Sequence, residues 1–186
     1  MPDDPQEPDA PHRPHQPHPP RRDAVDDIVD QWALTRPDLD TAPMALIGRL
    51  NRFHAHVDAA LRDYFAEHGL DFSEFDVLAT LRRSGDPYEL NARALLKSAM
   101  VTSGAITNRV DKLSAKGLVE RRPCPTDRRA VLIRLTPAGK ELIDALVLGH
   151  VRNEERLVAT LTPAERDQLG DLLRKLLIAR GDTHLL

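Results

Sequence analysis

A chain of 186 residues that is 41% hydrophobic can bury one core of ordinary size, and a formal net charge of −3 makes any basic patch a local feature. Cys124 is the only cysteine, which excludes an intrachain disulfide and a cysteine-rich metal site. No apolar run approaches the roughly 18 residues of a membrane helix and no leader pattern opens the chain, so a cytoplasmic protein with no membrane partner is expected.

In chain order, residues 1–23 read as a separate tail. Proline recurs at 2, 5, 8, 11, 14, 17 and 20, and His12, His15 and His18 share that period of three. Three residues per turn is the polyproline II repeat, which lines the histidines along one edge. Disorder is expected over metal capture, because the tail has almost no large apolar side chains to bury. Asp23 then caps a short helix carrying Val25, Ile28, Val29 and Trp32, which Arg36-Pro37 ends. Thr41 and Pro43 open a long helix with Ile47, Leu50, Val57, Leu61 and Phe65 on its apolar face, closed by Gly69. Ser73 is read as the cap of a third helix running through Leu81 to Gly85, and Asn91 as the opening of a short fourth.

Residues 101–135 carry the most information. Ile106, Val110 and Leu113 form an i, i+4, i+7 stripe, and Gly117 sits where a helix C-terminus wants positive φ. Leu118–Arg122 and Ala130–Leu135 read as paired strands, with a charged loop from Pro123 to Arg129 between them. Helix, strand, basic turn, strand is the order of a winged helix. Beyond it, Thr136-Pro137 starts a helix of roughly 24 residues, or roughly 36 Å. Thr162-Pro163-Ala164-Glu165 is a capping box that opens a final leucine-rich helix. The terminal helices carry more apolar stripe than a compact winged helix needs; they either fold over their own core or, as we expect, pack on a second subunit. The fold class is therefore mainly α with a small β-hairpin wing. Its parts are a tail at 1–23, N-terminal helices at 24–69, a winged-helix lobe at 70–136, and C-terminal helices at 137–186.

Arg109, Lys112, Lys116, Arg121, Arg122, Arg128, Arg129 and Arg134 face only Asp111, Glu120 and Asp127 in this stretch. Cations concentrated on one helix and its hairpin are the footprint expected for a phosphate backbone. All aromatics (Trp32, Phe53, Tyr64, Phe65, Phe72, Phe75, Tyr88) precede residue 89, so stacking platforms for single strands are missing there and duplex DNA is the better partner. Ser103, Thr107, Asn108 and Lys112 fall on the outward face of the reading helix. Arg109 lies within roughly 60° of the apolar stripe and points inward, where a guanidinium wants an anion. Strand parity puts Arg121 and Arg122 on opposite faces. Asp76, near the N-terminus of its helix, reads from its position as an acid favoured by the helix dipole. Trp32 is a packing anchor, a stacking surface, or both. Cys124 lies in the basic loop, where a thiolate sensor is conceivable and an incidental thiol is expected. His54 and His56 cannot share a helix face, and no phosphate loop or nucleophile motif appears, so neither an enzyme nor a bound cofactor or metal is expected.

From about Met44 to Leu177 the chain resembles the multiple antibiotic resistance regulators, the MarR family. The motifs are Gly-Leu-Val-Glu-Arg at 117–121, Asp-Arg-Arg at 127–129 and Leu-Thr-Pro-Ala-Gly at 135–139. The resemblance implies a homodimer on a palindromic operator, with the reading helix in the major groove and the wing in the minor groove. It makes Arg129 the groove contact, Asp127 its support and Arg128 a backbone contact. A narrower resemblance to the urate-responsive subgroup rests on Asp-Gln-Trp at 30–32, Glu-Phe-Asp at 74–76, Thr-Asn-Arg at 107–109 and Val-Glu-Arg at 119–121. It implies that Trp32, Asp76, Arg109 and Arg121 respond to a planar anionic ligand such as urate, which releases a repressor from DNA. The alternative is the same fold sensing a phenolic acid, or an oxidant through Cys124.

Overall fold

The computed structural model describes residues 22–99, 106–125 and 130–183. The tail at 1–21, Ser103 and the wing-tip residues Asp127, Arg128 and Arg129 lie outside these residues. Two compact units divide between Arg52 and Phe53.

The first unit holds α1 (Ala24–Thr35) and the start of α2 (Ala42–Glu67). Asp23 caps α1 by accepting from the N–H groups of Val25 and Asp26, and the Asp26 carboxylate accepts in return from Asp23 N at 2.8 Å. Arg49 of α2 reaches both acids, at 2.8 Å to Asp23 and 2.6 Å to Asp26. Val25 is buried, and Gly48 makes room for it: a Cβ at 48 would meet Val25 Cγ1 at 3.3 Å. Ile28, Trp32, Leu34, Leu46 and Ile47 remain exposed.

The second unit contains the rest of α2, α3 (Phe72–Arg83), β1 (Glu89–Asn91), α4 (Ala92–Ser98), α5 (Ile106–Ala115), β2 (Val119–Pro123), β3 (Val131–Leu135), α6 (Pro137–Leu157) and α7 (Pro163–Ala179). It is mainly helical with a small antiparallel sheet ordered β1-β3-β2. The two-stranded wing expected from sequence gains a third strand, because Leu90 pairs opposite Ile133 and shields it. One continuous core runs through this unit and includes Phe65, Leu78, Leu81, Leu95, Leu113 and Ile143.

 Its buried members come from α2, α3, α4, α5, β2, β3 and α6, Leu90 of β1 packs against them, and its aromatic side is Phe65 stacked on Phe75 at 4.3 Å.

Helix starts follow the side chains that can satisfy them. The cap of α3 is Asp71, not Ser73: its carboxylate accepts from Glu74 N at 2.8 Å, while Glu74 accepts from Asp71 N at 2.9 Å. Ser73 instead donates its hydroxyl to Asp71. At α6 the Leu-Thr-Pro-Ala-Gly run has a steric cause. Thr136 accepts from Gly139 N at 3.0 Å and donates to the Gly117 carbonyl at 2.8 Å, and a Cβ at Gly139 would run into the Leu118 carbonyl. The helix is 21 residues long, a little shorter than expected, and buries Ile143 and Leu146. α7 starts at the expected Thr162/Glu165 box but buries none of its residues, so folding over its own core does not account for its leucines.

Candidate nucleic-acid interface

α5 presents two faces. Ile106, Val110 and Leu113 are buried, while Thr107, Asn108 and Lys112 are exposed, as the sequence stripe requires. The described residues therefore leave three of the four expected reading-helix contacts facing solvent. Lys112 also lies 4.0 Å from Asp71. Burial pushes the Asp71 carboxyl up, but the Ser73 hydroxyl, the Glu74 N–H and Lys112 together outweigh it and hold the group below its usual value.

A support missed at the level of sequence holds the far end of α5. Lys116, just past the helix, donates to Glu74 at 2.7 Å and to the Gly69 carbonyl at 2.8 Å, and Glu74 is only 3% exposed. Lys116 had been counted among cations facing phosphate. Its partner was invisible because nothing in local spacing joins residue 74 to residue 116.

The wing continues beyond the strand pairs, with Cys124 N donating to the Ala130 carbonyl at 3.1 Å. Arg121 and Arg122 do separate as parity requires. Arg121 reaches Asp111 of α5 at 2.6 Å, tying β2 to the reading helix, and Arg122 approaches Glu120 at 3.9 Å.

The residues expected to answer a ligand fall as follows. Asp76 is the fifth residue of α3 and 3% exposed, so the dipole reading of an acid in the first turn does not describe it. Its carboxylate lies 3.9 Å from Arg83. Arg109 is half-buried, and its Nη1 is buried with no hydrogen-bond partner. Arg121 is paired with Asp111. Trp32 belongs to the first unit, where it is 38% exposed. Arg83, which the motifs did not single out, also donates to the Ser98 carbonyl at the end of α4. The seven-residue spacing from Asp76 to Arg83 was the available signal, since it returns to the same helix face.

Among the described residues no group of side chains could hold a metal ion, and no helix is long and apolar enough to cross a membrane.

Comparison with known proteins supplies the identity of this arrangement. A model of the MarR family matches residues 68–130, from just past the end of α2 into the wing. The HTH-type transcriptional regulator PecS of Dickeya dadantii is 41% identical over 149 residues, covering 80% of this chain and 90% of that protein. A cysteine-to-serine variant of MarR from Escherichia coli, solved in complex with operator DNA, matches with a TM-score of 0.62 and 31% identity, over 74% of this chain and 97% of that one. BpsR of Bordetella bronchiseptica, described with regulation of its DNA binding by 6-hydroxynicotinic acid, matches with a TM-score of 0.62 and 27% identity, over 69% of this chain and 90% of that one. These relatives are regulators and not enzymes. With its reading helix exposed beside a basic wing and its similarity spanning nearly the whole of PecS, this chain belongs to the MarR family of DNA-binding transcription regulators.

Proposed function

We propose that the protein is a homodimeric repressor that binds a palindromic operator and is released from it by urate or a related planar anion. The observation that carries the ligand half of this reading is Arg109. A guanidinium nitrogen buried without a partner is costly, and an anion of the right shape relieves that cost. Because Arg109 belongs to α5, an anion drawn to it acts directly on the helix that reads DNA. Asp76 is the group that feels the new negative charge, Trp32 supplies an aromatic face for a planar ring, and Arg121 adds a second cation near α5. The similarity to PecS, a transcriptional regulator, supports the DNA half of the reading.

On DNA, Ser103, Thr107, Asn108 and Lys112 take the major groove, and Arg129, supported by Asp127 and flanked by Arg128, takes the minor groove. The homodimer reading is supported by α7, whose Leu172, Leu176, Leu177 and Ile178 are each at least half exposed. No cofactor is called for. A second planar acid in place of urate is favoured by the likeness to BpsR. The test is a mobility shift on the DNA upstream of the protein's own gene, with and without urate. Release by urate at concentrations that leave an unrelated winged-helix protein bound supports the reading, and indifference to urate removes the ligand.

A further inference from the structure

We infer that Arg83 is a positioning residue that converts the electrostatic surroundings of Asp76 into the placement of the end of α4, and so of the reading helix that follows. This rests on the reading of Asp76 as ligand-responsive. Asp76 and Arg83 are seven residues apart on α3, which at 100° per residue brings them within about 20° of one another on its surface. One guanidinium nitrogen of Arg83 lies 3.9 Å from the buried Asp76 carboxylate. The other donates to the carbonyl of Ser98, the last residue of α4. At Ala99 the backbone turns extended, with φ −83° and ψ 149°, so Ser98 is where the chain leaves the first helix of the pair toward α5. Carbonyls at a helix C-terminus lack helical partners and favour a cation.

A guanidinium is a rigid planar fork. It cannot turn one nitrogen toward a new anion, or away from a displaced carboxylate, and leave the other nitrogen where it was. Arg83 is also 45% exposed in its side chain, so it has solvent on one side into which to swing. An anion arriving near Asp76 therefore loosens the hold on Ser98. Lysine has the charge without the fork and cannot span both acceptors.

The experiment measures operator affinity by fluorescence anisotropy, with and without urate, for wild type, Arg83→Gln, Arg83→Lys, Asp76→Asn and the Asp76→Asn/Arg83→Gln double variant, with urate quenching of Trp32 and thermal melting in parallel. Arg83→Gln is expected to weaken operator binding about 3- to 30-fold without urate, to keep urate quenching, and to shrink the further release by urate. The double variant is expected to bind no more than about 2-fold worse than the weaker single variant, because both remove one linkage. Arg83→Lys is expected to melt like wild type and yet to be blunted in release. Additive losses in the ligand-free cycle, wild-type release in Arg83→Gln, or full recovery by lysine each overturn the inference. If wild type itself ignores urate, the ligand reading fails, and the ligand-free cycle still decides the role of Arg83.

Discussion

Glu74 and Asp76 are buried carboxylates two residues apart on α3, and their surroundings give them different work. Glu74 is satisfied by Lys116 and by the Asp71 N–H, so it acts as an anchor for the end of α5. Lys116→Met is expected to leave that carboxylate short of a partner and to cost about 1–3 kcal/mol in urea denaturation. An unchanged midpoint would show the pair to be ornamental. Asp76→Ala is expected to leave urate quenching of Trp32 in place while blunting release, whereas Arg109→Ala is expected to abolish the quenching. The acid side of the stability curve follows from the surface carboxylates. Hydrogen bonds from Arg82 and then Lys140 hold the Asp144 carboxyl below its usual value. The folded value is depressed, so this contribution is present above the ordinary carboxylate range near pH 4 and disappears as pH falls below it. Asp144→Asn is expected to flatten that acid limb, as read by melting temperature against pH, and to leave neutral DNA binding unchanged.

At the scale of elements, the parts legible in the sequence were those with local causes. The α5 stripe, the positive φ of Gly117 and the Thr162/Glu165 box each lie within a few residues of what they determine. The start of α3 shows the limit. Asp71 and Ser73 each have an acid three residues on, Glu74 and Asp76, so both resemble capping boxes in the sequence; the reciprocal bonds form between Asp71 and Glu74. β1 is three residues long, too short for alternation to register, and it forms only because β3 lies beside it. Close approach likewise explains Gly139, where Gly139→Ala is expected to cost about 1–3 kcal/mol, since the obstacle is backbone and not a movable side chain. For the wing, Arg129→Ala is expected to weaken operator binding and reduce the slope of log affinity against log salt by about 1, with Cys124→Ser changing neither. Equal slopes for wild type and Arg129→Ala would remove the wing from the DNA contact.

At the scale of the whole molecule, the proposed assembly is two copies presenting two reading helices, with the exposed apolar residues of α7 as the surface that joins them. The expectation of that pairing came from surplus apolar stripe; of the residues proposed for the ligand, Arg109 was marked by its place beside the α5 stripe, while Trp32, Asp76 and Arg121 were singled out through resemblance, because no local spacing joins them. Replacing Leu172 and Leu176 together by glutamate is expected to yield a monomer in sedimentation and to remove the advantage of a palindrome over a half-site. The most direct measurement is a titration of wild-type protein onto a full palindrome, whose half-sites lie about 10 bp apart, and onto a single half-site, each with and without urate. Much tighter binding to the palindrome, weakened by urate by about 5- to 150-fold, is the expected result. Equal affinity for the two DNAs, or an affinity that urate leaves unchanged, would contradict a ligand-released dimeric repressor.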